Sequence, residues 1–140
     1  MAVLQGKAFW ASVTTPNTNY EPVYSVNLVV DEETAEKFRN DGYTIKDMEE
    51  GPALVIKRKV NGPNGMVRQA PKLMDKTKNE IDVNVGNGSE VKVQYKPWES
   101  QWKGKTFKGL DFQAMQVLNL VEYQAADGAE FDALEEEDEL

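Results

Sequence analysis

The chain contains no cysteine and no histidine. The first absence excludes disulfides and thiolate metal sites, and it is compatible with a reducing compartment. The second removes the commonest general base, the commonest zinc ligand and the base of a catalytic triad together. No apolar run approaches a membrane span. The N-terminus has no basic segment leading into an apolar one. A soluble, intracellular protein is expected, with no membrane partner, no metal and no cofactor. Carboxylates are plentiful, but Glu49–Glu50 and Asp31–Glu33 read as a solvated loop and a helix start. Acid–base catalysis needs an enclosed pair with separated pKa values. An enzyme is therefore the weakest class of function.

The 140 residues fit one domain. Net charge is −8, and its distribution matters more than its total. Residues 125–140 hold eight acidic side chains and no basic one. The remaining 124 residues are balanced, with 16 acidic and 16 basic. Within that body, residues 1–56 carry −5, residues 57–108 carry +7 and residues 109–124 carry −2. A pI of about 4.6 taken alone would argue against a nucleic-acid partner. The end of the chain supplies all of the excess, so the middle third is free to be basic.

Alternation and turn chemistry predict a mainly β body. Strands are expected over 6–14 and 23–30, the latter with Tyr24, Val26, Leu28 and Val30 on one face. Asp31 opens a helix with Glu32 and Glu33 in its first turn, where the dipole favours negative charge. Ala35 and Phe38 are its apolar contacts, and residues 40–42 end it. Further strands are expected over 53–60, 81–85 and 90–96, with turns at 61–65 and 86–89 and an irregular segment at 66–80. Val91, Val93 and Tyr95 face one way and Lys92, Gln94 and Lys96 the other. Residues 97–106 read as a loop, and 107–123 as one strand or two broken at Gly109. Five to seven strands and one short helix make a small barrel or sandwich, over residues 1–124. The acidic end, 125–140, has too few apolar residues to offset its ordering entropy and is expected to be disordered when free.

The strongest chemical signal lies in 91–108. Tyr95, Trp98, Trp102 and Phe107 are interleaved with Lys92, Lys96, Lys103, Lys105 and Lys108. Lysines neutralise phosphates and release counterions, and flat aromatic faces stack exposed bases. The bland alternative is a hairpin whose aromatics fold back onto the barrel. Lys57 and Lys59 project from one face of a strand, with Arg58 on the other. Trp10 and Phe112 are assigned to the core. The acidic end, with Phe131, Leu134 and Leu140 as apolar anchors among Glu135, Glu136, Glu137, Asp138 and Glu139, reads as an interaction tail rather than a solubilising appendage.

These features together resemble bacteriophage single-stranded DNA-binding proteins of the podovirus replication type. The resemblance rests on Lys and aromatic interleaving, the run from Tyr24 to Asp31 leading into a helix, the run from Gly109 to Val117, and the terminal Glu135–Leu140. It implies an OB-type five-stranded, or slightly elaborated, β-barrel. It also implies sequence-tolerant single-stranded DNA binding in replication and recombination, in the cytoplasm of an infected bacterial host. Phosphate contacts then fall to Lys57, Lys59, Lys92, Lys96, Lys103 and Lys105, and base stacking to Tyr95, Trp98, Trp102 and Phe107. The tail would recruit a phage DNA polymerase and a helicase or primase, and would compete for the DNA groove. A homodimer is compatible with such a family. One departure is that such tails often finish on an aromatic residue, whereas this one ends in Leu140. Two rivals stand beside this reading. One is a phage structural or assembly β-sandwich that binds only protein, and the other is an acidic inhibitor that mimics DNA.

Overall fold

The computed structural model describes residues 2–19 and 21–121. The expected domain end at 124 and the tail residues Phe131, Leu134, Glu135, Glu136, Glu137, Asp138, Glu139 and Leu140 lie outside that range. Seven strands and one helix are present among the described residues: β1 (Ala2–Asn17), β2 (Val23–Val29), α1 (Glu32–Asn40), β3 (Lys46–Met48), β4 (Gly51–Lys59), β5 (Lys72–Met74), β6 (Ser89–Trp102) and β7 (Lys105–Asn119).

The sheet order is β3-β4-β2-β1-β6-β7-β5, and β4 also pairs with β7. That extra pairing closes β4, β2, β1, β6 and β7 into a five-stranded barrel, with β3 and β5 added outside it. All barrel pairs are antiparallel except the parallel seam between β4 and β7, where Lys57 meets Asp111. This is the strand arrangement of an OB-type barrel. β1 serves two neighbours: Ala2–Ala8 pairs with β6, and Lys7–Asn17 pairs with β2.

The interior follows from period-two alternation. Val26, Leu28, Leu54, Ile56, Val91, Val93, Phe112 and Met115 are fully buried or nearly so. α1 lays Ala35 and Phe38 on this core. The Phe38 ring meets Tyr95 edge-on at 6.0 Å and Tyr43 at 5.5 Å. Asp31 caps the helix by accepting the Thr34 N–H at 2.7 Å. Hydrogen bonding from the Thr34 side chain, and then from its backbone N–H, lowers the Asp31 carboxyl pKa below its ordinary value.

Three sequence expectations change. Residues 81–85 form no strand, although Ile81, Val83 and Val85 do turn inward. The strand beside β7 is instead β5, which pairs with it in parallel and falls inside 66–80, expected to be irregular. Residues 97–106 are not a loop, because β6 and β7 stay paired to Trp102 and Lys105. Trp10 is not in the core: it is 64% exposed. It sits where the β1–β2 register shifts between Phe9 and Ser12, with a left-handed φ of 54°. The bulge turns its side chain outward. Phe112 is in the core as expected. No helix among the described residues is long and apolar enough to cross a membrane.

The seam is pinned by a forked ion pair. Arg58 Nε and Nη2 donate to Asp111 Oδ1 and Oδ2 at 3.0 and 2.7 Å, and both side chains are mostly buried. Donating these hydrogen bonds to Asp111 raises the Arg58 pKa further above its already high value. Asp111→Ala leaves the guanidinium part-buried without its partner. It should cost about 1–3 kcal/mol, less than the roughly 3–5 of a fully buried pair. The urea midpoint measures this, and Arg58→Met with Asp111→Leu should recover most of the loss.

Candidate nucleic-acid interface

Beyond the barrel, β6 and β7 continue as a protruding hairpin. Its turn is two residues, Lys103 and Gly104, with φ of 52° and 77°. Both positive values match a type I′ turn, whose twist suits paired strands. Directly opposed residues share a face. The pairs Trp98↔Gly109, Ser100↔Phe107 and Trp102↔Lys105 therefore put Trp98, Phe107, Trp102 and Lys105 on one side. Same-face neighbours along a strand lie about 6.6–6.8 Å apart. The result is a ladder of rings, exposed by 45% at Trp98 and Phe107 and by 63% at Trp102.

The rings are held. A Cβ added at Gly109 would overlap the Trp98 indole, so only glycine lets that ring lie flat across the pair. The Lys103 ammonium sits 4.4 Å above the Trp102 ring, a cation–π contact that partly offsets the left-handed backbone at Lys103. Lys108 Nζ lies 4.7 Å over the Tyr43 ring and donates to the Asp41 carbonyl just past α1. This latch ties the hairpin to the helix end.

Between the hairpin and the chain entering β3 runs a cleft of about 590 Å³. Its floor is Leu54, Val55 and Lys57 of β4. One wall is Tyr43, Thr44 and Lys46, and the other is Trp98, Phe107, Lys108 and Gly109. It opens because β3 leaves β4 at Ala53 and β7 joins only at Lys57. Rings and ammonium groups thus share one groove across the middle of a barrel face.

Of the ten residues expected from sequence, Lys57, Trp98 and Phe107 line this cleft. Trp102, Lys103 and Lys105 continue it along the hairpin. Lys96 and Lys92 are exposed on the same outer face of β6, Lys92 farthest from the cleft. Lys59 is exposed at the end of β4 and pairs loosely with Glu21 at 3.7 Å. Tyr95 is placed differently: it is 8% exposed and packs on Phe38, so no ring face is open to a base. Burial, then the neighbouring Tyr43 phenol, pushes its hydroxyl above the ordinary value, and it stays neutral. Tyr43 and Lys46 are not among the residues expected from sequence, and Gly109 is expected there only as a possible strand break. The short alternation of 43–46 after the helix is the only local signal for the first two. No group of three or more acidic, histidine or cysteine side chains able to hold a metal occurs among the described residues.

The described residues thus form an OB-type barrel with a cleft walled by rings and lysines. Comparison with known proteins agrees at the level of fold. No family model matches the chain, and no curated protein matches it by sequence. Among solved structures it is similar to gp2.5, a single-stranded DNA-binding protein encoded by bacteriophage T7. The TM-score is 0.61 at 16% identity, over 99% of this chain and 98% of that one. It is also similar to the single-stranded DNA-binding protein from bacteriophage Enc34 in complex with ssDNA. There the TM-score is 0.54 at 13% identity, over 86% of this chain and 88% of that one. The chain thus shares its fold with these two solved structures.

The seating of Trp98 is directly testable. Gly109→Ala should displace the indole and alter the near-ultraviolet circular dichroism while leaving the far-ultraviolet spectrum unchanged. An unaltered near-ultraviolet spectrum would show that the ring does not rest on Gly109.

Proposed function

We propose that this protein binds single-stranded DNA with little sequence preference, as a non-catalytic component of phage replication and recombination in the host cytoplasm. The observation that carries the reading is the cleft in which Trp98 and Phe107 face Lys46 across a β4 floor that carries Lys57. Unpaired bases stack on rings, and such stacking tolerates any base. Phosphates meet the lysines of the floor, the wall and the hairpin. A duplex hides its base faces and would gain only the charge term. The solved proteins of similar fold support the same reading, since they bind single-stranded DNA and one is seen in complex with it.

The acidic residues 125–140 complete the proposal. They recruit the phage polymerase and helicase or primase through Phe131, Leu134 and the Glu135–Leu140 run. They also compete with DNA for the lysines, because a flexible polyanion presents the same charge.

Titration with single- and double-stranded oligonucleotides at several salt concentrations tests the first part. Single strands should bind more tightly and quench tryptophan fluorescence. Trp98→Ala should lose about 5- to 100-fold, matching roughly 1–3 kcal/mol per stacked base. Lys57→Ala and Lys46→Ala should each flatten the log–log salt slope by about 0.7. No affinity for single strands would sink the reading and favour a protein-binding role.

For the tail, deletion of 125–140 should tighten single-strand binding at low salt, with the gain fading as salt screens it. A weaker complex after deletion would contradict competition.

A further inference from the structure

The barrel carries a second cavity, of about 370 Å³, on the far side of β1 from β2. It is lined by Trp10 and Ser12 of β1, by Asn17 at the strand's end, and by Asn84 and Asn87 before β6. No charged residue lines it. Trp10 stands at its rim, exposed and in a left-handed backbone conformation. The Trp10 N–H donates to Asn87 Oδ1 at 2.8 Å, which holds that conformation. A large residue kept at positive φ is uncommon, and such outliers concentrate at binding sites.

The sheet register joins this cavity to the cleft. Lys57 of β4 pairs with Ser25 of β2, and Ser25 pairs with Ser12 of β1. Each alternates with buried neighbours, Ile56, Tyr24, Val26 and Val13, so all three point outward. Neighbouring strands lie about 4.8 Å apart, so the row spans roughly 10 Å. Two small hydroxyl side chains thus form a low path from the cleft floor to the indole.

Resting on the single-strand reading above, we propose that a bound strand leaves the cleft at Lys57, crosses Ser25 and Ser12, and stacks a further unpaired base on Trp10. The indole supplies the flat face, and the asparagine amides and Ser12 hydroxyl face the base edge. Without a cation, the cavity offers phosphate no charge partner. This subsite adds affinity that salt does not weaken, and it is filled only by strands long enough to reach it.

The test uses the full chain and labelled oligothymidylates of about 4 and about 16 nucleotides, the ends of the range one OB barrel covers. Trp10→Gly should bind the short strand as the wild type does. It should bind the long one about 5- to 100-fold more weakly, with the same salt slope. Glycine accepts the left-handed backbone, so the melting midpoint should hold or rise. Trp10→Leu, which keeps bulk without a flat face, should show the same loss. Wild-type affinity of both variants for the long strand would overturn this proposal alone. So would a flattened salt slope, or an equal loss on the short strand. Failure of the wild type to bind either length would sink the single-strand reading with it.

Discussion

Uninterrupted pairing of β6 with β7 past the end of the barrel is the constraint on which the interface depends. Inside the barrel the two strands share the core. Outside it no core remains, and the ladder is held by backbone hydrogen bonds, a two-residue turn and cross-strand pairs. An isolated hairpin is marginal in water. This one is anchored at its base by Tyr95 and Phe112, paired side by side in the core, and latched by Lys108 to the end of α1. Because the side-chain period is two, a slip of one residue would turn the ring ladder to the wrong side. Gly109 opposite Trp98 marks that register: no other residue leaves room for the indole.

Charge follows the same geometry. Lys96, Lys105 and Lys57 lie on outward faces of β6, β7 and β4, whereas Arg58 is withdrawn into the seam with Asp111. The one cation that closes the barrel is therefore not one that meets a ligand. Residues 1–124 gather their positive charge without a net positive total, and the acidic residues 125–140 make the whole chain negative. Two populations of charge are thus segregated along the chain, and a single pI conceals both.

Much of the barrel is legible in the sequence because core-facing strands alternate. Tyr24, Val26, Leu28 and Val30, and likewise Val91, Val93 and Tyr95, are buried as their spacing requires. Asp31 caps the helix it announces. The hairpin was not legible for the same reason in reverse. Residues 97–106 have solvent on both faces, so no alternation survives, and the turn is Lys-Gly rather than the stronger Asn-Gly signal. Tyr95 shows the limit of reading rings by interleaving: its register places it inward, and composition cannot outweigh register. Tyr43 and Lys46 reach the cleft only through the pairing of β3 with β4, a contact that local pattern does not contain. Trp10, expected in the core, lies outside it because a bulge adds a residue to β1 between Phe9 and Ser12 and breaks the alternation there.

None of the chain's three tryptophans is spent on the core, which is filled by Phe112, Met115 and branched aliphatics. Exposing three indoles to water is unfavourable, so their placement calls for a reason beyond folding. Each is also fixed by a different device: Trp98 by a glycine, Trp102 by a cation and Trp10 by a backbone hydrogen bond to Asn87. Fixing a ring before a ligand arrives means that less freedom is lost on binding. The devices are independent of one another and of the core. That independence is what a surface built for stacking requires, and a surface that merely tolerated stray aromatics would have no use for it.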